Sequence, residues 1–366
     1  MKMIVKIQIT VTLIFAFLFG QAISNRSIGQ DLPKQIQRQG ITYRLANKPL
    51  YIDPVFNGST DPMVCYNRNT NRWYMYYTSR RSNVPGLNNI ESVHGSAVGI
   101  AASEDGGATW KYIGNCNIDY HPDKDPTYWA PEVIDHMGTY HMYLSYVPGI
   151  FDNWDHPRDL VHLTSTDGIR WTSQSVLKLA SNRVIDACII QLSDGKWRLW
   201  YNNEVDNKSI YYADSPDLYN WTDKGKVDIE TVGEGPNVVY WHNRYYMVVD
   251  EWKGLSVFAS DDALNWTKQK EYLVSGIPLD PDVSDQQAEG QRRRVRMVDG
   301  SLGNHADIQI SNGHAYIFYF SHMPSLNNMR GAAVYVRELI CNDDGTISCD
   351  PSAACYINLN NNQKMH

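Results

Sequence analysis

The chain has 366 residues, of which 12% are aromatic and 20% charged, and its formal net charge is −7. This mildly acidic, aromatic-rich composition argues against nucleic-acid binding, which depends on clustered Lys and Arg, and suits neutral polar ligands better. After the N-terminal region, no stretch is long and apolar enough to span a bilayer.

Residues 1–24 have the pattern of a secretory signal peptide. Lys2 and Lys6 give a positive start, an apolar run from Ile9 to Phe19 follows, and small residues come next. The run is short for a membrane-spanning helix, which needs about 20 residues. We therefore predict a secreted or periplasmic protein with no membrane span after cleavage. Loss of Lys2 and Lys6 takes the net charge from −7 to −9.

The remaining chain contains a repeated unit in five copies. Each unit has an opening strand with a polar or acidic start, an aromatic-rich second strand, a third strand and a closing turn. The second strands are predicted at Arg72–Thr78, Tyr140–Tyr146, Lys196–Asn202, Arg244–Val249 and Ala315–Phe320.

Four of the five units close with a Ser-x-Asp turn that ends in Trp. A Ser or Asp side chain caps backbone N–H groups there, and the Trp packs between sheets. The four tryptophans are Trp110, Trp171, Trp221 and Trp266, at spacings of 61, 50 and 45 residues, which is the length of a four-stranded propeller blade.

The fifth unit, His305–Leu339, lacks this turn, and we expect the N-terminal strand Lys48–Ile52 to supply its outer strand. The predicted fold is all-β, a five-bladed β-propeller over residues 46–349. An N-terminal arm (25–45) precedes it and a frayed C-terminal tail (350–366) follows it. A two-sheet sandwich is the alternative, but it does not explain the repeat.

The starts of the opening strands carry the candidate site. Opening strands of a propeller line its central channel, so their first residues point to the ligand-binding end. The residues there are Asp61, Glu132, Asp186, Glu234 and His305. Isolated polar residues at strand starts are ordinarily caps, whereas four carboxylates at matching positions would converge and split their pKa values, as acid–base catalysis requires.

These motifs resemble glycoside hydrolase family 43 and related five-bladed propeller glycosidases. The matching pieces are Asp61-Pro, Trp129-Ala-Pro-Glu132, Ile185-Asp186, Glu234-Gly-Pro236 and Gly-Asn-His305. The resemblance implies Asp61 as general base, Asp186 as the residue that tunes and orients the acid, and Glu234 as general acid. It also implies that His305 holds water or a divalent cation, calcium, in the channel, with no cofactor required.

The resemblance implies a secreted, inverting, exo-acting hydrolase that releases arabinofuranose, xylose or a galactose derivative from plant or algal polysaccharide fragments. Trp129, Glu132, Arg80, Trp252 and His305 are the further candidates for substrate binding. For Arg80 surface charge is the alternative, and for the two tryptophans it is packing between blades. Asp250-Glu251 is interpreted as a solvated strand end, with an additional carboxylate in the channel as the alternative.

Three departures from the family pattern bear on the substrate. Ala187 follows Asp186 where Pro is common, Glu132 replaces the usual Asp, and an arginine-rich run spans Arg292–Arg296. A related activity on 3,6-anhydro-galactose would move the acid role to His305. A sialidase-like hydrolase and a non-catalytic carbohydrate-binding propeller of a glycan uptake system also stay open as functions. The sequence leaves the oligomeric state open.

Overall fold

The computed structural model describes residues 32–275, 299–326 and 330–360. The predicted signal peptide, the Arg292–Arg296 run and residues 361–366 lie outside the described residues. The chain divides into one unit at Met1–Pro33 and a second at Lys34–His366, which carries everything below. Among the described residues, no helix is long and apolar enough to cross a membrane.

The described chain is almost entirely β-structure, which confirms the predicted all-β class. Its helical content is limited to two short 3₁₀ turns, Glu91–Val93 and Pro324–Leu326. Five sheets follow one another along the chain, and in each of them four consecutive strands pair antiparallel. In the second sheet a further short strand, Asn117–Asp119, pairs in parallel with the outer strand Arg170–Val176.

The strands and their bounds are as follows. A hairpin precedes the sheets: β1 (Gln35–Arg38) and β2 (Ile41–Leu45). Sheet 1 holds β3 (Ser59–Asn67), β4 (Arg72–Ser79), β5 (Ala97–Ser103) and β6 (Lys111–Asn115). Sheet 2 holds β7 (Asn117–Asp119), β8 (Thr127–His136), β9 (Thr139–Val147), β10 (Asp159–Ser165) and β11 (Arg170–Val176).

Sheet 3 holds β12 (Val184–Gln191), β13 (Trp197–Asn203), β14 (Ser209–Ser215) and β15 (Thr222–Lys226). Sheet 4 holds β16 (Glu234–Trp241), β17 (Arg244–Asp250), β18 (Leu255–Ser260) and β19 (Thr267–Lys268). Sheet 5 holds β20 (Asn304–Ser311), β21 (His314–His322), β22 (Ala332–Cys341) and β23 (Ile347–Ser348). The last strand, β24 (Tyr356–Ile357), pairs with β2.

The five sheets are arranged in a closed cycle. The opening strands β3, β8, β12, β16 and β20 each contact the next one, and β20 contacts β3 again. Five buried apolar clusters occupy the spaces between neighbouring sheets, and each cluster takes side chains from two of them. Burial of apolar surface between sheets, rather than within one core, therefore holds the cycle together.

The closing turns form as predicted. Ser103, Ser165 and Ser215 each accept a backbone N–H from three or four residues further along the chain, at 2.9 to 3.0 Å. Asp167, Asp217 and Asp262 each accept two N–H groups of their own turns. These local bonds hold the turn, so that Trp110 and Trp171 are buried against neighbouring sheets.

The two ends of the chain differ from the prediction. Ile357 and Leu359 of the predicted tail are buried, and the indole nitrogen of Trp73 donates to the Leu359 carbonyl at 3.2 Å. The outer position of sheet 5 is shared between β23 and an isolated bridge from Tyr51 to Val334, so the N-terminal segment supplies only part of it. The apolar side chains at the alternate positions 355, 357 and 359 form one face of an extended segment. This face explains why the C-terminal segment packs against the sheets.

Candidate active site

The opening strand of every sheet contains a β-bulge near its start. The pairing register shifts at Thr60/Met63, Trp129/Glu132, Ile185/Cys188, Glu234/Asn237 and Asn304/Ala306. One residue in each bulge has a positive φ: Asp61 (50°), Ala130 (44°), Asp186 (62°), Gly235 (58°) and His305 (29°). A bulge re-aims the side chain that it carries, and such backbone strain clusters at functional sites.

The bulges show that the predicted matching of four carboxylates was wrong in two sheets. Asp61, Asp186 and His305 occupy equivalent bulge positions, but Ala130 and Gly235 hold that position in sheets 2 and 4. Glu234 comes one residue earlier and still reaches the cavity. Glu132 comes two residues later, where the strand is again regular. The sequence pattern could not separate these positions, because a bulge adds one residue to the count.

Glu132 belongs to a second set of side chains, located two residues beyond each bulge. Four of them accept a backbone N–H from the opening strand of the next sheet. The pairs are Glu132 with Ile189 (2.9 Å), Cys188 with Val238 (3.1 Å), Asn237 with Ile308 (3.2 Å) and Asp307 with Val64 (2.9 Å). These bonds link sheet 2 to 3, 3 to 4, 4 to 5 and 5 to 1.

The predicted substrate-binding role of Glu132 is therefore wrong. Its side chain is buried, it does not line the cavity, and burial raises its pKa well above the ordinary range, with the charge of Asp307 acting in the same direction. Glu132 ties sheet 2 to sheet 3 by accepting the Ile189 N–H.

Substitutions at Glu132 test this role. We expect Glu132→Gln, which keeps a carbonyl acceptor, to change the free energy of unfolding little. Glu132→Ala leaves the Ile189 N–H unsatisfied and should cost about 1–3 kcal/mol in chemical denaturation. Because the side chain lies outside the cavity, KM should be unchanged in the glutamine variant. A raised KM with unchanged stability would restore the substrate-binding role.

The remaining candidate site residues line one cavity of about 560 Å³. Asp61 comes from sheet 1, Asp186 from sheet 3, Glu234 and Asp250 from sheet 4, and His305 from sheet 5. Arg80, Trp129 and Trp252, the other predicted substrate contacts, line the same cavity. Its size is typical of a pocket for a small ligand.

Asp61 is held by three neighbours. The Thr60 hydroxyl donates to Oδ2 at 3.0 Å, while Nη2 of Arg80 and Nδ1 of His305 each lie 3.6 Å from Oδ1. The Arg80 guanidinium also lies over the Phe320 ring, 5.0 Å from its centroid. The carboxyl group thus lies beside the Arg80 guanidinium and the His305 imidazole.

Asp186, Asp250 and His305 form a buried titrating cluster beside Asp61. Burial raises the pKa of Asp186 to about 7, aided by Glu234 and Asp61 and opposed by His305. Burial and Glu234 raise the pKa of Asp250 to about 7 as well. Burial opposes the charge of His305, yet Asp186, Asp61, Glu234 and Asp250 together raise its pKa. Backbone N–H groups of Gly235 and His305 fix the two acids, at 3.0 and 3.2 Å.

Glu234 is the most accessible acid of the cluster, with 30% of its side chain exposed. The indole nitrogen of Trp252 donates to Oε1 at 3.0 Å, and Nζ of Lys208 lies 3.3 Å from Oε2. Trp252, predicted to bind substrate, lies in the wall of the cavity and orients Glu234 through this hydrogen bond.

The aromatic lining differs in part from the prediction. Trp129 is only 8% exposed, and its indole nitrogen donates to the Val93 carbonyl at 2.6 Å, so little of its face is available for stacking. Trp154, which was not singled out in the sequence, also lines the cavity and is 44% exposed. Trp154 is thus the better placed indole for contact with a sugar face.

The Asp250-Glu251 pair is not a solvated strand end, because both side chains are buried. Asp250 lines the cavity, whereas Glu251 accepts from Thr231, Lys268 and Tyr272 at 2.5 to 2.7 Å. Despite its burial, these donors lower the pKa of Glu251 to about 2. Glu251 is a structural ion-pair partner, and Asp250 is a site residue.

Among the described residues, no group of three or more His, Cys, Asp and Glu side chains is arranged to hold a metal ion. The buried acids of the channel instead accept N–H groups: Asp307 receives Val64 N–H and Gln309 Nε2, and Glu132 receives Ile189 N–H. The role of His305 as a metal ligand stays a prediction, and no step below depends on it.

The raised pKa values predict how stability depends on pH. A carboxyl group with a raised pKa in the folded state stabilises the fold at low pH, and this contribution is lost as pH rises from about 4 to about 7. His305, also raised, acts in the same direction. We expect Tm to fall between pH 5 and pH 8. The fall should be smaller in Asp186→Asn, whose carbonyl can still accept the Gly235 N–H. An equal fall in Tm for wild type and Asp186→Asn would contradict the raised pKa of Asp186.

The chain resembles a known enzyme family over part of its length. The sequence profile of glycosyl hydrolases family 43 matches residues 51–215, which include Asp61 and Asp186 but end before Glu234. No curated protein sequence matches the chain significantly.

Among solved structures, the chain is similar to a thermostable family-43 glycoside hydrolase, with 20% identity over 82% of this chain and 96% of the other and a TM-score of 0.57. It is also similar to a family 43 β-xylosidase/α-arabinofuranosidase from a compost microbial metagenome, in complex with xylotriose. That pair has 15% identity over 85% and 99% of the two chains and a TM-score of 0.56. A family 43 β-1,3-galactosidase has 12% identity, covers 80% and 93%, and has a TM-score of 0.56.

The family match defines the class of the protein as a glycoside hydrolase, and the predicted glycosidase activity is confirmed at that level. The resemblance to glycoside hydrolase family 43 is likewise confirmed. The structural similarities, all at low identity, show the shared fold.

Proposed function

We propose that the five sheets are the blades of a five-bladed β-propeller with an N-terminal arm, and that its cavity is the active site of an inverting, exo-acting glycosidase. The observation that carries this proposal is the convergence of Asp61 and Glu234 on one cavity from sheets 1 and 4. These sheets are not neighbours in the cycle, and in the proposed reaction the two carboxyl groups act on opposite sides of a bound sugar. Inverting glycosidases use two carboxyl groups separated widely enough for a water molecule.

The remaining residues fit defined roles in that reaction. Asp61, held by Arg80 and Thr60, takes a proton from the attacking water. Glu234 protonates the leaving oxygen, and Asp186 and Asp250 lie beside it in the same cavity. His305 orients Asp61 and Asp186. No cofactor enters these steps.

The substrate we propose is an oligosaccharide or polysaccharide fragment of plant or algal origin, with a terminal arabinofuranose, xylose or galactose derivative in the cavity. Its support is the cavity volume, which lies in the range of small-ligand pockets, together with relatives described as xylosidase, arabinofuranosidase and galactosidase. We further propose export through the N-terminal signal peptide.

Two rival functions fit the cavity less well. A sialidase-like hydrolase requires a nucleophilic tyrosine among its arginines. Arg80, Arg158, Arg183 and Arg330 do line the cavity, but no tyrosine of the described residues does. A purely binding propeller has no need of Asp186 and Asp250, whose burial disfavours their charged forms.

Proton NMR of a digest tests the proposal. Wild-type protein is mixed with arabino-, xylo- and galacto-oligosaccharides, and the anomeric signals are followed from the first minutes. We expect a monosaccharide that appears first in the inverted configuration. Retention of configuration would contradict the inverting mechanism. Binding by calorimetry without any product, across every glycan that binds, would contradict the enzyme and favour the carbohydrate-binding propeller.

A further inference from the structure

The carboxyl group of Glu234 is engaged on both oxygens in the ligand-free site. Trp252 Nε1 donates to one oxygen at 3.0 Å, and Lys208 Nζ lies 3.3 Å from the other. Both partners are donors, so the arrangement is complementary to an ionised carboxylate. A general acid must instead carry a proton on the oxygen that faces the leaving group.

Lys208 is positioned by a chain of ion pairs behind the cavity. Its Nζ lies 2.7 Å from Oε1 of Glu204, and Oε2 of Glu204 lies 2.7 Å from Nε of Arg158. The Arg158 side chain is 1% exposed and the Glu204 side chain is 7% exposed. This buried ion pair holds the Glu204 carboxylate in place beside Lys208. The Lys208 ammonium also lies 5.2 Å from the centre of the Trp252 ring.

Lys208 differs from these partners in its exposure to solvent. Its side chain is 36% exposed, and it shares its ammonium between Glu204 and Glu234, with the shorter contact to Glu204. Burial opposes its charge, but Glu234 and Glu204 raise its pKa, so it remains an ammonium at neutral pH. It can leave Glu234 and keep Glu204 without loss of its counter-ion.

We propose that Lys208 is a positioning residue that keeps Glu234 ionised in the empty site and releases it when a sugar occupies the cavity. This inference depends on the proposed role of Glu234 as general acid. Bound sugar hydroxyls accept from the ammonium, which moves towards Glu204. Glu234 then faces Asp186 and Asp250 with one opposing cation fewer and takes up its proton. His305, which faces the same group of acids, and Arg158 behind Glu204 remain in place.

The proposal makes Lys208 a determinant of the upper pH limit of activity. An opposite charge within about 4–6 Å lowers the pKa of an acid by about 1–3 units, and the partial exposure of this pair reduces the effect. In Lys208→Met we expect the basic limb of the kcat/KM profile, which reports the free enzyme, to move up by about one pH unit. Lys208→Arg, which keeps the charge, should retain the wild-type limb.

Two measurements test this in the full-length protein. The first is the pH profile of kcat/KM on an oligosaccharide, whose sugar leaving group needs a proton from the acid, for wild type, Lys208→Met and Lys208→Arg. Lys226→Met is the matched control, because Lys226 pairs with Asp206 at 3.1 Å and lies outside the cavity. A basic limb that moves only in Lys208→Met supports the proposal. A limb that stays in place, or that moves equally in the control, overturns it.

The second measurement is independent of activity. Carboxyl ¹³C shifts of Glu-labelled protein are titrated, and Glu234→Gln identifies the Glu234 signal. We expect a higher midpoint for Glu234 in Lys208→Met than in wild type and in Lys226→Met; equal midpoints overturn the proposal. If the wild type hydrolyses no glycoside while the midpoint moves as expected, the proposed function fails and the ion pair stands.

Discussion

Replacing Asp61 by Asn is expected to lower kcat about 10²–10⁴-fold while leaving the fold intact. The asparagine side chain fills the same space and can still accept the Thr60 hydroxyl, but it cannot remove a proton from water. The loss should fall on kcat with little change in KM, because substrate contacts on the cavity wall remain. Steady-state kinetics on the best glycoside, with Tm as a measure of folding, gives the result.

Asp135→Asn is the matched control for Asp61. Asp135 is also mostly buried, at 11% exposure, and also pairs with an arginine, Arg68, but it does not line the cavity. We expect wild-type kinetics from this variant. Equal losses at both positions would show that Asp61 acts through stability, and near-normal activity of Asp61→Asn would remove it as the base.

Replacing Glu234 by Gln is expected to have an effect that depends on the leaving group. An alkyl or sugar leaving group needs a proton from the acid, so kcat should fall about 10²–10⁴-fold. A dinitrophenolate leaves without one, and its rate should fall much less. The measurement is kcat/KM of wild type and variant across a series of leaving groups, in which the variant should show the steeper dependence.

Glu338→Gln controls for Glu234, because Glu338 is similarly accessible, at 25%, and also bonded to a cation, Arg38, far from the cavity. It should match wild type across the series. A uniform loss in Glu234→Gln, independent of the leaving group, would contradict the acid role. If His305→Ala then showed the dependence on the leaving group, the acid would be His305.

The repeat and its turns were predictable because their signals are local. Ser, Asp and Trp at fixed offsets bond within one turn, as at Ser165, Asp167 and Trp171, and need no knowledge of the rest of the chain. The aromatic second strands were equally visible, since bulky residues recur on the buried faces. These elements fix the length of each unit, and with it the order of the sheets.

The exact positions in the opening strands were not predictable to the residue. A β-bulge inserts one residue into the strand, so Glu132, Asp186 and Glu234 look alike in sequence but sit after, within and just before their bulges. The position of each bulge is visible only in the backbone conformation. In sheets 2 and 4 the residue with the positive φ is Ala130 or Gly235 rather than an acid.

Part of the cavity wall was missed for a different reason. Trp154, Arg158, Glu204 and Lys208 lie in the loops between the second and third strands of sheets 2 and 3. Because the first strand starts at the cavity and the second returns to it, these loops end there too. That rule follows from the up-and-down order of the strands. The same rule does not predict that Lys208 pairs with Glu204 and Glu234, because Glu234 lies on a strand of another sheet.

The most direct test of the central claim is release of nitrophenol from arabinofuranosides, xylosides and galactosides by wild type and by the double variant Asp61→Asn/Glu234→Gln. The account predicts turnover of one of these glycosides by wild type and none above background by the folded double variant. Equal release by both proteins would show that the two carboxyl groups do not carry the reaction and would contradict the account.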